Sequence, residues 1–407
     1  MRRYLLSCVM VLALAGASVP VVADDSSGTR ADAGKPAASR STVAKSFEVV
    51  GHDPLRHRGM NAAPAVFRNW LYVGSRTDAS AGHRAGVLVL DIEEPGNPKV
   101  VGRIGAPHEA KPSQTSRELR VWPRKKLLMV MNFRCSTLIH SCVDGPDVWN
   151  IKFYDLGHGN AADPKLVSTY RSNFKPHEMF LWVDPERPGR ALLFTSTPHS
   201  SEKPNDRTAN LVVTDLSRAR QGRFPEIVRY SANPRFPDGA HAKRDIALHS
   251  MGVSNDGRRT YLAYLGGGFL VLDTSQIAAD RVDPRVRLVT APKSSPVWRN
   301  QTVHSAVKVP GRPYVVTTDE IYGDLLDEFT FEDHGCPWGK VHIIDIRDEA
   351  RPKTVGQHSI AQNRRPYCKS AAGEDPANTY FTNYSAHNLT AAWACLRHLA
   401  LRRSTGL

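Results

Sequence analysis

The chain has 407 residues, 41% of them hydrophobic and 23% charged, with a formal net charge of +14. These proportions exclude a disordered chain and a protein embedded in a membrane through most of its length. Lys and Arg are scattered without a long run, so the positive charge reads as a solvated basic surface and no nucleic-acid partner is expected.

In chain order, Met1, Arg2 and Arg3 form a basic start to a mostly apolar stretch from Tyr4 to Ala17. Val21 and Ala23 then stand at the −3 and −1 positions of a cleavage site before Asp24. This predicts a signal peptide over 1–23 and a secreted, periplasmic or extracellular protein. No later segment is apolar for the roughly 18 residues of a spanning helix, so no transmembrane segment is expected after cleavage. Residues 24–50, rich in Ser, Ala, Gly, Lys and Thr, predict a disordered linker.

From residue 51 to 390 one pattern recurs. A short apolar run ends on aspartate, and an irregular, often proline-bearing loop follows, as in VLVLDIEEPGNPKVVG and VHIIDIRDEARPKTVG. The aspartates are Asp91, Asp155, Asp215, Asp273 and Asp345, at intervals of 58 to 72 residues. Two further strand-like runs lie between successive aspartates, and helix signals are nearly absent. Repeated strand-only units that cannot bury both faces alone predict an all-β, β-propeller fold with four-stranded blades. The aspartates read as turn-capping residues that end a strand.

The repeat core resembles the LVIVD repeat of secreted β-propellers, and GCPWGKVHIID and FTNYSAHN are similar to parts of the same family. The resemblance implies a seven-bladed ring and a binding or scaffold role, without established chemistry. After SAHNLT the repeat stops. Residues 391–407, AAWACLRHLALRRSTGL, read as an aberrant or unstructured tail, a truncated end of the ring or a short closing helix.

Histidines mark the expected inner strands: His177 opens HEMFLWV, His249 opens HSMGVS, His304 opens HSAVKV, and His387 sits in SAHNLT. Glu118, in RELRVW, takes the matching place in the second unit. One such side chain per blade at equal depth forms a ring at one mouth of the channel, a candidate site for a divalent transition metal. The turn at Pro310 to Pro313 sends the chain back toward His304 and carries Asp319 and Glu320 with it, so Glu320 is a candidate ligand or catalytic base. The competing expectation is structural, because polar residues opening an inner strand hydrogen-bond neighbouring backbone.

Export permits disulfides, with Cys135–Cys142 and Cys336–Cys368 as the candidate pairs. Cys135, His140 and Cys142 form an alternative metal group. The acidic residues after Glu320 lack the glycine-punctuated pattern of a calcium loop and read as an exposed insertion.

Three readings follow. The first is an exported binding or scaffold propeller for a small ligand, an envelope protein or a polysaccharide. The second is a metal-dependent oxidoreductase or hydrolase, resembling the selenium-binding methanethiol oxidases in carrying histidines near the axis. The third is a truncated copy with little function.

Overall fold

Alternating, β-branched sequence forms twenty strands among the described residues, with one short α-helical turn at Ser275–Ala278. The computed structural model describes residues 49–58, 61–77, 86–104, 114–134, 143, 149–197, 210–232, 247–291, 293–298, 301–320, 339–364 and 386–390. The signal peptide, most of the linker, the tail, His140, the four paired-cysteine candidates and the acidic run beyond Glu320 lie outside them.

The strands fall into five antiparallel units of four. The first holds β1 (Asn61–Phe67), β2 (Trp70–Ser75), β3 (Val87–Asp91) and β4 (Lys99–Ile104). The second holds β5 (Gln114–Trp122), β6 (Leu127–Arg134), β7 (Asn150–Asp155) and β8 (Lys165–Tyr170). The third holds β9 (Met179–Val183), β10 (Ala191–Ser196), β11 (Leu211–Asp215) and β12 (Glu226–Tyr230). The fourth holds β13 (Ser250–Val253), β14 (Arg259–Tyr264), β15 (Gly268–Asp273) and β16 (Arg287–Leu288). The fifth holds β17 (Val303–Lys308), β18 (Tyr314–Asp319), β19 (Val341–Asp345) and β20 (Lys353–His358). These are the blades of a β-propeller. One bridge, Ser75 to Ser116, joins the first two blades into a continuous sheet.

The five recurring aspartates each end the third strand of a blade. Asp91, Asp215, Asp273 and Asp345 accept a hydrogen bond from the backbone N–H two residues on, at 2.7 to 3.0 Å. That is the Asx-turn geometry expected of a short side chain that replaces a backbone acceptor as the chain leaves the ladder.

The core lies between blades. In β6, Leu128 and Val130 face the first blade while Met129, Met131 and Phe133 face the third. In β14, Leu262 and Tyr264 pack toward the third blade, and Tyr261 and Ala263 toward the fifth. Period-two alternation therefore feeds two cores, which is why these strands read as unbroken apolar runs. Indole N–H groups repeat the same blade-to-blade step: Trp122 donates to the Pro188 carbonyl and Trp182 to the Asn255 carbonyl, both at 3.0 Å.

First strands pack side by side in chain order, β1 on β5, β5 on β9, β9 on β13 and β13 on β17. Their closeness needs glycine at one point. A Cβ at Gly252 would stand 2.3 Å from the Ala306 carbonyl oxygen of β17. Gly252→Ala should therefore push the fourth and fifth blades apart and lower stability by about 1–3 kcal/mol, the usual cost of overpacking. Urea unfolding checks this, and a wild-type midpoint would show that the two strands separate freely.

Candidate metal centre

Three of the histidines, His249, His304 and His387, hang from the inner rim by one repeated contact. Ser196 Oγ donates to the His249 carbonyl at 2.6 Å, Ser250 Oγ to that of His304, and Ser305 Oγ to that of His387 at 3.1 Å. Each bond runs from one blade to the inner segment of the next. Residues 386–390 thus lie beside β17 as β17 lies beside β13.

Two local irregularities aim the side chains. His304 is the extra residue of a β-bulge, because Val303 pairs with Asp319 and Ser305 with Thr318. A bulge takes a residue out of the ladder and redirects it. His387 has φ +53, an uncommon conformation for a residue with a Cβ. It is clamped on both sides: its N–H donates to the Asp319 carbonyl at 3.1 Å, and its own carbonyl accepts from Ser305 and Thr318.

The side chains converge on Glu320. His249 Nε2 and His304 Nε2 each lie 3.5 Å from Glu320 Oε2. His387 Nε2 lies 3.0 Å from Oε1, and His177 Nε2 lies 3.0 Å from His249 Nε2. The rings touch in sequence, edge to face for His177–His249 and His304–His387 and tilted for His249–His304, with centroids 4.5, 4.2 and 3.9 Å apart respectively. His249, His304 and Glu320 are buried; His177 and His387 are half-buried. Among the described residues, two three-residue groups could hold a metal ion, His249 with His304 and Glu320, and His177 with Glu178 and His249.

Proton positions can be read at His304. The Ser305 hydroxyl has one proton, which goes to the His387 carbonyl, so its oxygen accepts from His304 Nδ1–H at 2.7 Å. The neutral ring then presents its Nε2 lone pair to the centre. Burial holds His249 down to about 4, against the pull of Glu320. Burial, then His249 and His387, hold His304 well below the ordinary imidazole range. Burial opposes the charged form of Glu320, but His387, His304 and His249 outweigh it and keep the carboxyl well below its usual range. Burial thus favours neutral rings at His249 and His304, beside an ionised Glu320 carboxylate.

Glu118 sits elsewhere. It pairs with Arg120 at 3.2 Å and stands outside both groups. Its carboxylate, after burial itself, helps push Glu178 well above the usual range, against Arg120, Arg117 and Arg76. Glu178 was not singled out in the sequence, although the pair His177-Glu178 at the opening of an inner segment was the available signal. Phe133 closes this side, 5.6 Å from the His177 ring and 3.8 Å from the Arg117 guanidinium carbon.

No family model matches the sequence, and neither does any curated protein. Similar solved structures include a hypothetical selenium-binding protein from Sulfolobus tokodaii, at 12% identity and TM-score 0.47 over 74% of this chain and 68% of that one. A functionally unknown protein from Desulfotomaculum acetoxidans is similar at 13% identity and TM-score 0.44, over 75% of this chain and 73% of that one. A periplasmic gluconolactonase from Pseudomonas aeruginosa is similar at 17% and 0.43, over 68% and 65%. Nothing about ligand or reaction carries over at such identities.

Proposed function

We propose that this chain is an exported, LVIVD-type β-propeller that binds a divalent first-row transition metal at its centre through His249, His304 and Glu320, with His177 and His387 beside them. The observation that carries the reading is Glu320 Oε2, which is buried without a hydrogen bond between two imidazole nitrogens at equal 3.5 Å distances. A buried anionic oxygen left unpaired is costly. A cation in the middle removes that cost. Ligands about 2.0–2.2 Å from a common ion lie roughly 3.0–3.5 Å from one another, which matches the spacing of Glu320 Oε2 from the His249 and His304 nitrogens.

Nitrogen-rich ligation with a single carboxylate suits Zn, Cu, Fe or Ni better than Ca or Mg. When bound, such an ion supplies Lewis acidity or redox chemistry toward a small ligand in the channel. Around it, Ser305 holds the His304 tautomer, the bulge and the clamped turn aim His304 and His387, and Glu320 balances charge. Glu320 is buried among the imidazoles, so its place favours a ligand over a free base.

Untagged full-length protein, stripped and reconstituted with Zn(II), Co(II), Cu(II), Ni(II) or Fe(II), should retain about one equivalent of at least one of them after gel filtration. Retention of less than about a tenth of an equivalent of every ion would refute the reading.

A further inference from the structure

Behind Glu320 lies a second buried polar group that ligation does not use. Asp319, 1% exposed, accepts from the Trp298 indole N–H at 3.0 Å, from the Thr302 backbone N–H at 3.2 Å, and from His342 Nε2–H at 3.2 Å. Trp298 also stacks on His342, with ring centroids 3.9 Å apart and planes 22° from parallel. A carboxylate only accepts, so the bond fixes the proton of His342 on Nε2. Its Nδ1 is buried with no hydrogen-bond partner, so His342 serves here as a donor to Asp319.

The backbone of Asp319 extends the connection. Its N–H donates to the Lys340 carbonyl, and its carbonyl accepts from His387 N–H. Glu320 follows in the chain, and its N–H donates to the Thr302 carbonyl at 3.0 Å. Thr302 in turn stands two residues before His304. One residue is therefore tied to three segments of the centre by short bonds: Glu320 through the chain, His304 through Thr302, and His387 through its own carbonyl.

We infer that Asp319, locked by Trp298 and His342, is a positioning residue that sets the relative places of Glu320, His304 and His387 in the metal centre. This rests on the metal reading above. Groups that orient metal ligands commonly change affinity by 10- to 100-fold when removed, even though they never touch the ion.

The test uses the full chain and Co(II), whose visible spectrum reports ligand geometry. Asp319→Asn should weaken Co(II) binding by about 10- to 100-fold and alter the bound spectrum. Trp298→Phe keeps the carboxylate charge and removes one of its three donors, so a smaller loss with the same spectral change would separate positioning from lost charge. It also serves if Asp319→Asn does not fold. Asp184→Asn is the control for general destabilisation. Asp184 is a buried aspartate of the third blade that pairs with Arg187 at 3.0 Å and Arg190 at 3.2 Å. It should lower the unfolding midpoint and leave Co(II) affinity and spectrum unchanged. Wild-type protein that binds no metal overturns the metal reading and this inference together. Wild-type binding with unchanged affinity and spectrum in Asp319→Asn, or in Trp298→Phe if only that variant folds, overturns the inference alone.

Discussion

Glu320→Gln is expected to lower transition-metal affinity by at least about 100-fold and to lower the stability of the metal-free protein at neutral pH by a smaller amount. The two halves of that result have one cause. In the metal-free chain, Glu320 Oε2 is a buried acceptor with no hydrogen bond. An amide there has no charge to desolvate and can turn its NH₂ toward an imidazole lone pair, so the folded state loses little. With a dication present, the carboxylate is the one anionic donor of the group it forms with His249 and His304, and its loss leaves a buried cation facing neutral ligands. The opposite pattern would follow if Glu320 served only to anchor His387, whose Nε2 lies 3.0 Å from Oε1. The loss would then fall on stability, and metal would be indifferent to the change. Isothermal titration with Zn(II) and urea unfolding of the stripped protein measure the two halves separately.

Acid should destabilise the stripped protein well before its carboxylates titrate. His249 is held down to about 4 by burial, whereas in the unfolded chain it takes up a proton near the ordinary 6.5. Between those values the unfolded state binds more protons than the folded one, so stability rises with pH across that window. The contribution is complete above about pH 6.5 and is lost progressively as the pH falls toward 4. A difference of that size corresponds to about 3 kcal/mol for His249 alone. His304, also held low, acts in the same direction, and so does Glu320 at lower pH. Urea midpoints of stripped protein at pH 7.5 and 4.5 should separate accordingly, and His249→Gln should remove part of the gap. An equal gap in the variant would show that His249 is not the group responsible. Bound metal should sharpen the loss, because the ion needs the same imidazoles in their neutral form.

The inner histidines and Glu320 were legible in the sequence for a simple reason. A hairpin folded at Pro310 to Pro313 must return its chain to its starting level, so residues equidistant from the turn meet. Val303 indeed pairs with Asp319, and His304 approaches Glu320. What the linear pattern concealed was irregular geometry. Strict alternation gives no sign that His304 sits in a bulge or that His387 adopts a positive φ. Nor does the strand pattern distinguish Glu118, which pairs with Arg120 on its own strand, from Glu178, which lies within 4.8 Å of the ligand atoms of His177 and His249. Those outcomes depend on contacts between blades far apart in the chain.

The sequence by itself determined the four-stranded unit, its repetition, the aspartate that closes each third strand and the level at which the histidines stand. Each follows from local physics: side-chain alternation, turn chemistry and the equal arms of a hairpin. Only the tertiary structure decided which polar residues share one centre. Side chains 3.0 to 3.5 Å apart on different blades are set by how closely neighbouring inner strands pack, by the absence of a side chain at Gly252 and by buried anchors such as Asp319. Apart from the His304–Glu320 approach across one hairpin, none of these distances has a counterpart in residue spacing along the chain.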